Sequence, residues 1–314
     1  MTVSVRLLLL LVIIRVFFFS ANAYSQLPVP DHIVCVILEN HSYDQILGNS
    51  AAPYLNGLVR NAATALFTQS YAVTHPSQPN YLILFSGSNQ GITDDNVPKI
   101  LPFTSSNLGV GLLQAGRTFA GYSEDLPAIG FDGRSSGLYA RKHNPWVNWQ
   151  GLKKNGIPYT HNLPYSSFPS HYDLLPTVSF VIPNQDNDMH NGTDPKRINK
   201  ADTWLREHLD GYIQWAQSHK SLVIITFDEG HTGTRSLLNR IFSLFLDKEE
   251  NTDAESNHIF TVFVGEMVKH GSYDQRIDHY SVLRTIEEMY GLPYAGSSAA
   301  SSAISNVWKK SGSR

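Results

Sequence analysis

Apolar residues along the chain fall into two kinds of pattern. Short continuous runs have the length of strands that are buried on both faces. They cover residues 33–38, 118–122, 178–182, 222–227 and 259–264. Other apolar residues are three or four positions apart, as on one face of a helix. They cover residues 54–62, 205–216 and 282–290. Strands that alternate with helices predict an α/β fold with a central, mostly parallel sheet flanked by helices.

Polar side chains that can bind metal ions follow three of the apolar runs, each at the point where the run ends. They are Glu39 and Asn40, Asp188 and His190, and Asp228 and Glu229. Because the carboxyl ends of parallel strands meet at one edge of a sheet, we expect these side chains to lie together. Strand ends are polar in many proteins, so a single pair would carry little weight. Three acid-rich ends favour a metal site.

The segment from Thr74 to Leu82 places a serine hydroxyl between two prolines. Ser77 follows one proline, precedes another and leads into an apolar run, and proline favours the first turn of a helix. A serine at a helix start faces free backbone N–H groups and the positive end of the helix dipole, which suit an incoming phosphate. Serine is also a common helix cap. From its position alone, Ser77 is either a cap or a nucleophile.

The first 23 residues have the pattern of a secretory signal peptide. An apolar run at 7–19 is followed by small residues up to Ala23. The run is interrupted by Arg15 and is shorter than the roughly 20 apolar residues of a spanning helix. We expect cleavage after Ala23 and a single domain over residues 24–314 without a transmembrane segment. The mature chain is then secreted, or exported to the periplasm if the source is bacterial.

The composition narrows the range of partners. The net charge is -3 with mixed signs and no basic stripe, which argues against nucleic acid as a main partner. Cys35 is the only cysteine, so no disulfide can form within the chain.

Four polar segments together resemble a known family. They are residues 39–44, 75–81, 226–230 and 278–285. In this order they are similar to the phosphoesterase family that includes secreted acid phosphatases and bacterial-type phospholipases C. The resemblance spans roughly residues 31–293 and implies the alkaline-phosphatase-like sandwich, with a central mostly parallel sheet flanked by helices.

The resemblance implies roles for the residues around the serine. The stretch from Ser77 to Asn80 is also similar to the nucleophile segment of nucleotide pyrophosphatase/phosphodiesterases, which have a threonine in place of the serine. This implies that Ser77 attacks phosphorus and that Asn80 helps to hold a phosphoryl oxygen. His75 is a candidate catalytic residue that binds phosphate. His143 resembles a residue on the rim of the family's site and is a candidate for substrate binding.

The resemblance also implies a divalent metal cofactor. The family binds metal through the pair after the first strand and the acidic pair of the Thr-Phe-Asp-Glu motif. In this chain these residues are Glu39, Asn40, Asp228 and Glu229. A bound ion would activate the serine hydroxyl, which is otherwise a poor nucleophile at neutral pH. The metal can be Zn, Mg, Mn or Ca.

The number of metal ions stays open between one and two. Asp188, His190 and His279 are the candidate ligands for a second ion, since carboxylate and imidazole groups suit zinc and similar metals. With a single ion, the same residues would bind phosphate or protonate the leaving group.

Three functions follow from these patterns. The first is a secreted metal-dependent phosphatase that hydrolyses small phosphate monoesters through a phosphoserine at Ser77. The second is a phosphodiesterase or a phospholipase C that acts on phospholipid headgroups; such phospholipases are usually longer, with an added carboxyl-terminal domain, which favours the phosphatase. The third is a binding protein that has kept the fold without activity. Every matched position has a chemically competent residue, which favours an enzyme.

Overall fold

The computed structural model describes residues 27–151, 153–231 and 257–309. The predicted signal peptide, residues 1–23, lies outside the described residues. Among the described residues, no helix combines the length and apolar character needed to cross a membrane. A single domain over 24–314 stays a prediction.

The described residues form short strands and longer helices in alternation. The strands are β1 (His32–Leu38), β2 (Thr64–Phe67), β3 (Ser70–Tyr71), β4 (Phe119–Ser123), β5 (Ser135–Ser136), β6 (Tyr139–Ala140), β7 (Asn162–Pro164), β8 (Val178–Ile182), β9 (Ser221–Phe227), β10 (Thr261–Val264), β11 (Gly271–Tyr273) and β12 (Ile277–Asp278). The α-helices are α1 (Tyr43–Ile46), α2 (Pro53–Val59), α3 (Ser77–Ser86), α4 (Leu108–Gln114), α5 (Lys196–Ala216) and α6 (His279–Tyr290). All the predicted strands and helices are present, with ends that differ by a few residues.

The central sheet has the strand order β11-β2-β10-β9-β1-β8-β4-β7. β1 pairs in parallel with both β8 and β9, and β4 pairs in parallel with β8 and β7. β10 is antiparallel to both of its neighbours, β9 and β2. The predicted α/β class with a mostly parallel central sheet is therefore confirmed.

The alternation of side chains along β1 divides the core into two layers. Ile33, Cys35 and Ile37 belong to the cluster that packs against α3, α4 and α6. The alternate residues, Val34 and Val36, belong to the cluster that packs against α2 and α5. Because successive strand side chains point to opposite faces, a continuous apolar run buries both faces under helices.

The region at 132–170 lacks apolar periodicity in its sequence, yet it forms several short regular elements. It contains β5, β6, β7 and short 3-10 helices, including those at Arg141–His143 and Pro145–Trp149. Trp146 is fully buried and donates from Nε1 to Asn162 Oδ1 at 2.9 Å. A Cβ atom on Gly121 of β4 would lie 2.1 Å from the Trp146 ring, so only glycine admits this contact. The region is fixed to the sheet by its aromatic side chains.

Candidate active site

The carboxyl ends of three adjacent strands form the centre of the site. Glu39 follows β1, Asp188 follows β8 by a short loop, and Asp228 follows β9. Backbone hydrogen bonds join these segments: Glu39 N donates to Asp188 O at 2.8 Å, and Asp228 N donates to Leu38 O at 2.9 Å. The three carboxylates are essentially inaccessible to solvent. The predicted gathering of acidic side chains at one sheet edge is present.

Ser77 is the first residue of α3 and its hydroxyl is directed at carboxylates. Ser77 Oγ lies 3.1 Å from Glu39 Oε2 and 3.4 Å from Glu229 Oε1, and either oxygen can accept its proton. The N-cap position of α3 belongs to Pro76, and no side-chain hydrogen bond caps the helix. Ser77 is therefore not the N-cap of α3, and the role of nucleophile stays a prediction.

His143 lies between two of the buried carboxylates. Its Nε2 is 3.2 Å from Glu39 Oε1 and its Nδ1 is 3.3 Å from Asp188 Oδ2. Ligand atoms of these three residues lie within 4.8 Å of one another, the arrangement of a candidate metal site. His143 is 1% exposed. The expectation that it lies on the rim of the site is wrong, because the 3-10 helix at Arg141–His143 directs its ring inward.

The buried charges shift one another's pKa values. Burial opposes the ionisation of Glu39, but the positive charges of His143 and Lys142 and hydrogen bonds to the carboxylate lower its pKa overall. Burial also opposes the protonation of His143, yet the carboxylates of Glu39 and Asp188 raise its pKa. Burial raises the pKa of Asp188. A metal cation bound here would therefore compete with a proton for the same imidazole.

Asp228 is a buried acid whose hydrogen bonds from the described residues are incomplete. Burial raises the pKa of Asp228, and the charges of Glu39 and Glu229 raise it further. Asp228 Oδ1 accepts from Asn40 N at 2.9 Å, but its Oδ2 has no hydrogen-bond partner among the described residues. An unpaired buried carboxylate costs several kcal/mol. The donor set of carboxylates and an imidazole fits a divalent cation, which would offset this cost.

Asn40 lies between the two acidic strand ends. Its backbone is in the left-handed region, with φ of 48°, and its carboxamide donates to Glu39 Oε2 at 3.2 Å. The next residue, His41, is buried, with Nδ1 2.8 Å from Glu39 O and Nε2 3.0 Å from Asp194 Oδ1. These contacts hold the backbone turn that presents Glu39.

His75 is held by Glu229 at the entrance to α3. The His75 Nδ1 atom contacts Glu229 Oε2. Its other ring nitrogen, Nε2, is buried and lacks a hydrogen-bond partner among the described residues. The ring is thus oriented by a carboxylate and has a second nitrogen available for phosphate or for a proton.

Asn80 makes its hydrogen bonds to the loop before the nucleophile. Its Oδ1 accepts from Val73 N at 3.2 Å and from Thr74 N at 3.1 Å, and its Nδ2 donates to Thr74 O at 2.7 Å. The side chain is fully buried. These contacts fix the loop that carries His75. They do not support the predicted contact between Asn80 and a phosphoryl oxygen.

The remaining two predicted histidines lie at different depths. His279 is buried, and its Nε2 donates to Phe227 O at 2.9 Å, directly before Asp228. Its Nδ1 has no partner within the described parts of the chain. His190 is half-buried; its backbone N donates to Asp188 Oδ1 at 2.7 Å, and its Nε2 is 3.4 Å from Lys142 Nζ. Both histidines border the carboxylate group.

Two further residues of the site were not predicted from the sequence. Tyr81 donates to Glu39 Oε1 at 2.5 Å, and its ring stacks on His143 at 5.2 Å. Lys142 lies beside the site and donates to Asp95 Oδ2 at 2.9 Å. The available signal for Tyr81 is its position one helical turn after Ser77, on the same face of α3. Lys142 was detectable only as the neighbour of His143.

Comparison with known sequences agrees with this site. The model of the Phosphoesterase family matches residues 49–293. A phosphatidylinositol-3-phosphatase of Mycobacterium tuberculosis is 43% identical over 288 residues, which cover 91% of this chain and 85% of that protein. An acid phosphatase of Aspergillus fumigatus is 29% identical over 83% of this chain. The chain spans 55% of the length of that fungal enzyme.

Comparison with solved structures confirms the fold. An alkaline phosphatase superfamily protein of Vibrio parahaemolyticus superposes with a TM-score of 0.56 at 11% identity, over 85% of this chain and 69% of that one. The murine ectonucleotide pyrophosphatase/phosphodiesterase 5 gives a TM-score of 0.55 at 10% identity, over 88% of this chain and 100% of that one. The family match and the similarity to named phosphatases show that the chain hydrolyses phosphoric ester bonds and belongs to the phosphoesterase family.

Proposed function

We propose that this chain is a secreted, metal-dependent phosphatase that hydrolyses phosphate monoesters through a phosphoserine at Ser77. The observation that carries the proposal is the position of Ser77 Oγ at the start of α3, within hydrogen-bond distance of Glu39 and Glu229. Free N–H groups at a helix start bind phosphoryl oxygens, and the carboxylates accept the hydroxyl proton.

In the first step, Ser77 Oγ attacks phosphorus and loses its proton to a neighbouring carboxylate. The new O–P bond forms as the bond between phosphorus and the leaving oxygen breaks, and the leaving alcohol takes up a proton. In the second step, water attacks the phosphoserine, phosphate leaves, and the Ser77 hydroxyl is restored. The nucleophile thereby divides one difficult displacement into two easier ones.

The histidines supply contacts and protons in this scheme. Glu229 holds the His75 ring, so that Nε2 meets the phosphoryl group or the leaving oxygen. His190 lies at the half-buried margin of the carboxylate group, where a phosphate oxygen can reach it. His279 supports the backbone before Asp228. Its Nδ1 has no partner among the described residues, which makes His279 the candidate ligand of a second ion or a proton donor.

The metal is assigned to the carboxylates at the strand ends. Glu39, Asp188 and His143 form the group whose ligand atoms lie together. Asn40, Asp228 and Glu229 border it on the nucleophile side. When bound, a divalent cation supplies charge that polarises a phosphoryl oxygen. Zn, Mg, Mn and Ca are the candidates, because the donors combine oxygen atoms with one imidazole.

The named relatives support a phosphatase over a phosphodiesterase. The Mycobacterium tuberculosis protein and the fungal acid phosphatases carry names of enzymes that release phosphate. We therefore assign a small phosphorylated molecule as the substrate. It is a phosphate monoester and not the diester that a phospholipase C would cleave.

The decisive experiment compares Ser77→Ala with Ser86→Ala, a buried serine on the same helix whose hydroxyl bonds to Leu82 O. Ser77→Ala should lower the hydrolysis of an aryl phosphate at least about a thousandfold. It should retain wild-type circular dichroism and metal content. Ser86→Ala should retain most of the activity.

Acid-quenched wild-type enzyme should also yield a phosphorylated peptide that contains Ser77. Chelation followed by dialysis should abolish turnover, and added metal should restore it. Substantial activity in Ser77→Ala would refute the nucleophile, and full activity in metal-free protein would refute the metal.

A further inference from the structure

A polar cavity of about 400 Å³ lies beside the start of α3. Gln78 and Lys142, the sequence neighbours of Ser77 and His143, both line it. Arg134, Arg141 and Asp95 also contribute to its wall, so three basic residues and one acidic residue line the space. A cavity with this position and charge can hold the polar part of a phosphoester next to its phosphate.

A second cleft of about 480 Å³ lies within the segment Gln90–Phe103. Ile92, Val97, Ile100 and Phe103 supply apolar walls. Ile100 is 83% exposed, and it is the most exposed of the large hydrophobic side chains in the described part of the chain. Val97 is also exposed, whereas Ile92 and Phe103 are partly buried against the core. Single exposed apolar residues are common, but two that share one cleft with partly buried apolar side chains indicate a binding surface.

The two spaces are adjacent, since Val97 lines both the polar cavity and the apolar cleft. The loop that carries it is fixed to the nucleophile helix by Gln78. Gln78 N donates to Asp95 Oδ1 at 3.0 Å, and its Nε2 donates to the backbone oxygens of Asp94 and Asn96, each at 2.8 Å. The apolar cleft is therefore held at a defined position relative to Ser77.

We propose that the segment Gln90–Phe103 is a binding site for the apolar chain of the substrate, so that the enzyme acts on amphiphilic phosphomonoesters. This inference rests on the proposed function, because it takes the phosphate to lie at Ser77. The polar cavity accommodates the part of the molecule that links phosphate and chain, and Lys142 and Arg134 favour negative or hydrogen-bonding groups there. The chain then covers Val97 and Ile100 and removes their apolar surface from water.

The test uses alkyl phosphates of increasing chain length, each below the concentration at which it forms micelles. With wild-type enzyme, kcat/KM should rise by about twofold for each added methylene. This corresponds to roughly half of the free energy gained by burying a methylene completely. In the double variant Val97→Asn, Ile100→Asn this increase should disappear, while kcat/KM for ethyl phosphate stays within about twofold of wild type. Both side chains are exposed, so the variant should fold.

Leu174→Asn is the matched control, because Leu174 is 68% exposed and lines neither space. It should preserve the chain-length dependence. A wild-type rate that is independent of chain length, or a dependence that survives in the double variant, would overturn this inference and leave the phosphatase intact. A rate increase seen only with vesicles would also overturn it, because docking on a lipid surface would then be the cause. Failure to hydrolyse any monoester would instead refute the proposed function.

Discussion

Two places in the molecule bury carboxylates in different ways. Glu287 of α6 is 1% exposed, and both of its oxygens have partners: Ala295 N donates to Oε1 at 2.8 Å and Ser298 Oγ donates to Oε2 at 2.6 Å. At the strand ends, Glu39, Asp188 and Asp228 are equally buried. There, hydrogen bonds from the described residues leave Asp228 Oδ2 without a partner.

Under the proposed function, the difference is that between an acid with a structural role and acids that bind a metal ion. Around Glu287 the chain supplies its own donors, and the carboxylate joins α6 to the segment after it. At the strand ends like charges are brought together: burial raises the pKa of Asp228, and the charges of Glu39 and Glu229 raise it further. A fold tolerates such a cost where the side chains serve binding or catalysis. The two groups of buried acids thus differ in how their charge is compensated.

Neutralising one acid in each place should have different effects on activity. Asp228→Asn should lower kcat/KM at least about 100-fold, because an ion in the site contributes several kcal/mol to the transition state. In chelator-treated protein it should raise the free energy of unfolding by on the order of 1 kcal/mol, since it removes an unpaired buried charge. Turnover of an aryl phosphate and urea unfolding measure the two effects.

Glu287→Gln is the matched control for that variant and should leave metal content and activity within about twofold of wild type. Elemental analysis after dialysis checks the metal. If Asp228→Asn kept its metal and its activity, the two groups of carboxylates would not differ in function.

Tyr81→Phe should have an intermediate effect on activity. The Tyr81 hydroxyl donates to Glu39, and a hydrogen bond to a charged group contributes about 1.5–3 kcal/mol. Its loss should free the carboxylate to reorient and lower kcat/KM about tenfold. The ring that stacks on His143 is retained, so a change in the pH profile of kcat/KM reports on Glu39 directly.

Tyr122→Phe provides the control for this variant, because Tyr122 is buried in the sheet and makes no side-chain hydrogen bond within the described ranges. It should keep the wild-type rate and pH profile. Equal rates for Tyr81→Phe and wild type would show that Glu39 is held in place by its other neighbours.

The smallest expected effect is the pH dependence of stability at Glu287. Burial raises its pKa to about 7, against a reference of about 4.5, despite the hydrogen bonds from Ser298 and Ala295 and the charge of Arg284. Between these two values the folded chain binds more protons than the unfolded chain at this residue. Its contribution to stability is therefore complete below the reference pKa and is lost as the pH rises through about 7.

Glu287→Gln should remove this loss, because the amide oxygen can accept from Ala295 N and the amide nitrogen can donate to the Ser298 hydroxyl. Relative to wild type, the variant should gain about 1–2 kcal/mol in free energy of unfolding between pH 5 and pH 8. Urea unfolding at several pH values measures the difference. A constant difference across this range would contradict the raised pKa.

Much of the fold was predictable because it depends on local patterns. The side chains of the apolar run at β1 point alternately into the two core layers. Such a continuous apolar run indicates a strand with helices on both sides. Asp278 belongs to the residue types that favour helix N-caps, and its side chain accepts from Ser281 N at 2.8 Å at the start of α6. Gly291 ends this helix with a left-handed backbone, φ of 63°, the conformation that glycine favours. Each of these signals depends on residues that are close in sequence.

The antiparallel strand β10 and the short elements of 132–170 could not be predicted in the same way. The apolar run of β10 resembles those of the parallel strands. Its direction is known only from the sheet, where β10 lies between β9 and β2 and is antiparallel to both. Trp146 and Asn162 appear in the sequence as parts of a loop, and only packing against Gly121 makes them anchors.

By itself the sequence determined the order of strands and helices and the ends of the strands at which acidic residues gather. It also placed Ser77 at the start of a helix. Only the tertiary structure decided that the Ser77 hydroxyl faces Glu39 and Glu229, that His143 lies between Glu39 and Asp188, and that Tyr81 holds Glu39. Periodicity encodes backbone conformation and the buried face of each element. The partner of a polar side chain lies on a distant segment, and it is selected by the packing that brings those segments together.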